Sequence, residues 1–144
     1  MAVAFQVTFD CADPAALAHF WAATLGYEPD DPPEGYETWE AWLADIGVPE
    51  DEWNTGSSIA DPDGKGPSIY FQQVPESKSV KNRLHLDLHV GGGRKRPLHE
   101  RRTAVSAAAE RLSGLGASTL YVDEGESQFA ITMQDPEGNE FCLV

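Results

Sequence analysis

Cysteine is scarce: Cys11 and Cys142 are the only two in 144 residues. Two thiols cannot build the disulfide framework that staples small secreted domains, so they are expected to be free, and the core must come from burial alone. Long apolar runs are also missing, and no stretch approaches the roughly 18 residues that a membrane span requires. The opening residues, Met1-Ala2-Val3-Ala4-Phe5-Gln6, carry neither the basic region nor the apolar stretch of a secretion signal, so a cytoplasmic location is expected. Positive charge is short too. Ten Lys and Arg stand against 24 Asp and Glu, a formal net charge of −14. Such a surface repels a phosphate backbone, which excludes nucleic acid as a partner class.

What is present reads as globular: 41% hydrophobic residues and 24% charged, in a length that suits one ordinary domain. The charge is unevenly spread. Residues 28–63 hold 12 of the 24 acids and no Lys or Arg, whereas Arg94, Lys95, Arg96, Arg101 and Arg102 gather five of the ten bases. Gly91-Gly92-Gly93 precedes the first three of these, but the spacing matches no phosphate-binding loop, so a flexible connection is expected.

Two stretches alternate with the period of a strand. In Val3–Asp10 the apolar set is Val3, Phe5, Val7 and Phe9, with Gln6, Thr8 and Asp10 opposite. In Arg83–Val90 the leucines and Val90 oppose Arg83, His85, Asp87 and His89, so one face carries two imidazoles and a carboxylate. A helix follows each strand. The first opens at Asp13-Pro14 and carries Leu17, Phe20, Trp21 and Thr24 on one stripe up to Leu25-Gly26. The second carries Val105, Ala108, Leu112 and Leu115 and stops at Leu115-Gly116.

Further on, Asp61-Pro62-Asp63-Gly64 and Asp135-Pro136-Glu137-Gly138 form matching turns, leading to strands at Ser68–Val74 and Asn139–Val144. Ser118–Asp123 and Phe129–Gln134 complete the second half. The order strand, helix, strands, turn, strand therefore occurs twice, as in a duplicated module. Gly26 to Asp61 spans 35 positions and Gly116 to Asp135 spans 19, so the first half carries an insertion of about 16 residues. Within it, Thr38–Ile46 reads as a short helix and Pro49–Trp53 as a turn, together holding Trp39, Trp42 and Trp53. Three indoles there are expected to form a local mini-core; facing a cleft, they would wall it with flat aromatic surface.

These features resemble the vicinal oxygen chelate superfamily, and within it the glyoxalase-like domain proteins common in high-GC bacteria. The resemblance rests on the duplication, on Leu25-Gly26-Tyr27 and Leu115-Gly116-Ala117, and on Asp135-Pro136-Glu137-Gly138-Asn139-Glu140-Phe141. The stretches 66–76 and 81–87 are similar to that subgroup as well. It implies an α+β fold: two tandem βαβββ modules, 1–76 and 82–144, forming a U-shaped mixed sheet around a cleft with helices outside. The aromatic insertion falls near 30–56. A homodimer is a further implication.

In metal-using members four ligands converge in the cleft, and the matching positions here are Gln6, Gln72, His85 and Cys142. Two neutral amides, an imidazole and a thiol make a poor set for a catalytic divalent ion, so no cofactor is expected. A zinc, nickel, iron or manganese ion, if held, would fall to His85 and Cys142. Asp87 lies about 7 Å from His85 along an extended strand and His89 about 14 Å, so only Asp87 is close enough to join it. The functional expectation is a glyoxalase-like protein that binds a small polar organic molecule in the cleft, with Gln6, Tyr70, Gln72, Cys142, Trp39 and Trp42 as contacts. The alternative is a lyase, isomerase or dioxygenase-type enzyme using His85 with Asp87, with or without a metal. A third reading is an interaction module whose cleft is vestigial.

Overall fold

The computed structural model describes all 144 residues, which divide into two compact units, Met1–Ser77 and Lys78–Val144. In the first, β1 (Val7–Cys11) leads to α1 (Pro14–Leu25) and a two-residue strand β2 (Glu28–Pro29). The inserted helix α2 (Trp39–Asp45) and a single 3-10 turn (Glu50–Glu52) precede β3 (Gly56–Ala60) and β4 (Ile69–Gln73). In the second unit, β5 (Asp87–Leu88) leads to α3 (Leu98–Gly114) and then to β6 (Ser118–Glu124), β7 (Phe129–Gln134) and β8 (Glu140–Leu143).

Each unit folds its strands into one four-stranded sheet, in the orders β1-β4-β3-β2 and β5-β8-β7-β6. The outer pairs β1/β4 and β5/β8 are parallel and all others antiparallel, so the duplication read from the chain is a duplication of topology. The fold is mixed α+β. No helix is long and apolar enough to cross a membrane.

Local chemistry explains the helix ends. Asp13 accepts from the Ala16 amide as N-cap of α1, Pro14 follows at a position that needs no donor, and Gly26 closes the helix at φ 71°. Thr38 caps α2 in the same way, accepting from the Ala41 amide. α1 packs its Leu17, Phe20 and Trp21 against the sheet face that carries Ile59, Ile69 and Phe71, all of them buried. In the second unit Val105 and Leu112 of α3 meet the face carrying Ile131, Met133, Phe141 and Leu143.

Three expectations need correction. β1 starts only at Val7, and Val3 and Phe5 are 86% and 72% exposed rather than core. Its parallel partner β4 begins at Ile69, and Ser68 O, which accepts from the Val7 amide, is the last rung available. The Arg83–Val90 strand shrinks likewise to Asp87–Leu88; β8 begins at Glu140, which this register sets opposite His85, so Arg83 and Leu84 have no ladder and Leu84 is 80% exposed. The chain just before it is held by a side chain instead, with Glu140 accepting from the Asn82 amide and pairing Lys78 at 3.1 Å. On α3 it is Ala109, not Ala108, that is fully buried with Val105 and Leu112, and Leu115 lies outside the helix and exposed.

Candidate functional site

The second unit brings three reactive side chains together. β5 and β8 run parallel in the register Asp87 opposite Cys142, so a carboxylate and a thiol lie abreast on one sheet face. Phe141 and Leu143 on either side of Cys142 are buried in the other face. His85, two residues before Asp87, shares its face and places Nδ1 2.9 Å from Asp87 Oδ1. Ligand-capable atoms of His85, Asp87 and Cys142 all fall within 4.8 Å of one another. Next across the sheet is Thr132, opposite Cys142 in β7, whose hydroxyl lies 3.4 Å from the thiol sulfur. Alternation along one strand does not reveal Thr132, because its place depends on how β7 pairs with β8.

With Nδ1 engaged by the carboxylate, His85 keeps Nε2 for a substrate or an ion. Neither cysteine is in a disulfide, and the two differ. Cys11 is buried with its sulfur toward Gln72 O at 3.6 Å, while Cys142 is half-exposed.

The first unit does not gather its two glutamines. Gln6 lies before β1, 3.5 Å from the Ser68 hydroxyl, whereas Gln72 donates to Asp10 Oδ1 at 3.3 Å. Positions 68 and 72 are separated by roughly 13 Å of strand, and the two amides are engaged with different partners. The register also makes Tyr70, rather than Gln72, the counterpart of Cys142. Thr8 opposes Tyr70 in the first unit as Asp87 opposes Cys142 in the second, with Gln6 and His85 each two residues earlier.

Tyr70 belongs to a different feature, a cavity of about 430 Å³ within the first unit. Trp39, Trp42 and Leu43 of α2, Trp53, and Ser58 of β3 also line it. Trp39 and Trp42 meet edge to face, with centroids 5.6 Å apart and planes at 82°. The expected mini-core is therefore not closed: no residue of α2 is fully buried, and Trp39 is 39% exposed. Ser58 joins Trp39, Trp42 and Tyr70 here because β3 runs antiparallel to β4 with Ser58 opposite Tyr70, and Trp53 and Asn54 join from the chain just before β3. Gly56 makes room: a methyl group there would collide with the Tyr70 hydroxyl.

A family model for the glyoxalase-like domain matches residues 6–144. The chain belongs to the glyoxalase-like domain family. Its fold is that of the vicinal oxygen chelate proteins. A glyoxalase/bleomycin resistance protein/dioxygenase family enzyme from Burkholderia phytofirmans PsJN superposes with TM-score 0.59 at 15% identity, over 96% of this chain and 94% of that one. The fosfomycin resistance protein FosX from Mesorhizobium loti gives 0.60 at 12%, over 99% and 91%. A FosX mutant from Listeria monocytogenes, complexed with Mn(II) and a dihydroxypropylphosphonic acid, gives 0.61 at 13%, over 99% and 89%. No curated protein sequence matches the chain. At such identities the likeness to these solved structures is one of fold.

The donor set of this member does not suit a hard ion such as Mn(II), which prefers oxygen-rich ligation. One imidazole, one carboxylate and one thiol are instead donors of the kind zinc takes, and His85, Asp87 and Cys142 would be the residues to hold it.

Proposed function

We propose that this glyoxalase-like protein binds a small polar organic molecule, and that the aromatic cavity of the first unit is where the ligand sits. One observation carries the reading. The insertion spends three tryptophans on the wall of a cavity of about 430 Å³ instead of burying them in a core. Exposed aromatic surface around a concavity with a few convergent polar groups is the usual composition of a small-molecule site. Tyr70 and Ser58 supply those polar groups from the sheet.

A thermal-shift screen across metabolite and antibiotic panels checks this. A true ligand at a hundredfold excess over its Kd stabilises by about 2.7 kcal/mol, and the shift should vanish in Trp42→Ala. A flat response across both panels, with the chain folded, would sink the reading.

A second reading is favoured by the 2.9 Å contact between His85 and Asp87. In an isomerase- or lyase-type reaction the carboxylate would orient the imidazole, and Nε2 would take and return a proton of a polar substrate. If His85, Asp87 and Cys142 held a zinc ion instead, the imidazole would serve as a ligand and not as the base, and the ion would supply Lewis-acid chemistry there. Metal analysis after zinc loading and extensive dialysis should return about one ion per chain, falling to near zero in both His85→Ala and Cys142→Ser. Retention in both variants would remove this cluster as the metal site.

A further inference from the structure

We infer that the cavity of the first unit is an aromatic cage selective for an organic cation, such as a quaternary or alkylated ammonium group. This rests on the cavity being the ligand site and adds the chemical class of the ligand.

Two of the indoles have only their rings left to offer. Trp39 Nε1 donates to Asp30 O at 2.8 Å and Trp53 Nε1 to Val48 O at 2.9 Å, both inside the insertion. Those N–H groups are spent on backbone, which fixes the ring orientations and leaves ring surface as the available contact. Trp39 and Trp42, at 82° to each other, form a corner of two ring surfaces. Aromatic rings present a negative face, so a corner of indoles attracts a cation more than a neutral group of the same shape.

Charge acts in the same direction. Glu40 lines the cavity, and no Lys or Arg does. Behind the lining, the Asp30 carboxylate accepts from the Ser58 hydroxyl, and the Asp13 carboxylate accepts from Asn54 Nδ2 at 2.8 Å; Ser58 and Asn54 are both lining residues. Across residues 28–63 there is no basic side chain to offset these acids. An anion would be repelled from this concavity, and an uncharged guest would gain nothing from the carboxylates. A cation gains from rings and carboxylates together, while the Tyr70 hydroxyl remains to hydrogen-bond a polar tail.

Titration of the purified chain with choline and with its uncharged carbon isostere, dimethylbutanol, tests the class. Tryptophan emission gives the readout and calorimetry the control. Choline should change the emission saturably, and the isostere should bind at least about tenfold more weakly. Trp42→Ala should weaken choline binding about tenfold, while Trp39→Phe, which keeps a ring, should lose less. Glu40→Gln should weaken it a few fold and flatten its dependence on salt. Equal binding of cation and isostere would overturn the cation class but leave the cavity as a ligand site. Binding of neither, in a chain with a native circular dichroism spectrum, would overturn the inference too; a hit from the neutral members of the screen would then still uphold the cavity.

Discussion

Trp21→Ala is expected to lower the stability of the protein by about 3–5 kcal/mol, the usual cost of truncating a large aromatic core residue. Trp21 is fully buried on α1, with ring centroids 5.2 Å from Phe9 and 5.4 Å from Phe20. Phe9 in turn stacks on Phe71 at 5.4 Å, so rings from β1, α1 and β4 form one connected layer. Deleting the indole removes its transfer free energy and leaves a cavity that three neighbouring aromatics cannot fill without leaving their rotamers. Domains of this size are commonly stable by only about 5–15 kcal/mol, so the loss takes a large share. Urea unfolding followed by circular dichroism would show it as a lower midpoint at unchanged slope. A loss below about 1 kcal/mol would mean that this layer does not anchor the sheet. The consequence reaches the ligand site through one strand. Phe71 faces this layer, and its neighbour Tyr70 lines the aromatic cavity on the other face of β4. Ligand affinity should therefore fall in Trp21→Ala even at temperatures where it remains folded.

Asp135→Ala is the second large expected effect, about 2–4 kcal/mol of stability, because it strips the partner from several donors at once. Asp135 is only 3% exposed. Its Oδ1 accepts from the amides of Glu137 at 2.9 Å and Asn139 at 3.0 Å, and its Oδ2 accepts from the Asn139 side chain at 2.9 Å. These bonds shape the turn that delivers β8, hence Cys142, to the Asp87 register. Asp61 makes the matching turn in the first unit, accepting from the amides of Asp63, Lys65 and Gly66. Its substitution should cost less, because that turn is open to water, which can replace the lost acceptor.

The Asp61 turn has a pH signature instead. The Gly66 and Asp63 amides, with the Lys65 amide and charge behind them, hold the Asp61 carboxyl below its ordinary value of 3.8. The folded state thus favours the ionised form. Its contribution is complete above the unfolded value and is lost as pH falls through the lower folded value. Stability followed from neutral pH down to acid should show Asp61→Ala converging on the parent at the acid end. A gap that persists there would assign the effect to the backbone turn and not to the charge.

Much of this fold was legible in the chain. The Asp13-Pro14 start, the Gly26 stop and both Asp-Pro-acid-Gly turns follow from residues within about five positions of one another, where hydrogen-bond partners and allowed φ/ψ values are local matters, and the duplication is the recurrence of such signals along the chain. Alternation also assigned the faces correctly for β4, β7 and β8. The ends of strands were less legible. Val3, Phe5 and Leu84 read as core by period, yet each lies beyond the last rung of its parallel partner and stands exposed.

The candidate site divides in the same way. The sequence by itself determined the duplicated βαβββ order, the polar face holding His85 and Asp87, and an insertion that is rich in tryptophan and acid and empty of bases. Only the tertiary structure decided that Asp87 lies abreast of Cys142 with Thr132 beside it, and that Tyr70, not Gln72, is the matching position in the first unit. It alone decided, too, that the indoles wall an open cavity instead of closing into a core. The reason is physical. Which way a side chain points is set by its own strand, but what it meets is set by inter-strand register, and two residues of register move a partner by roughly 7 Å.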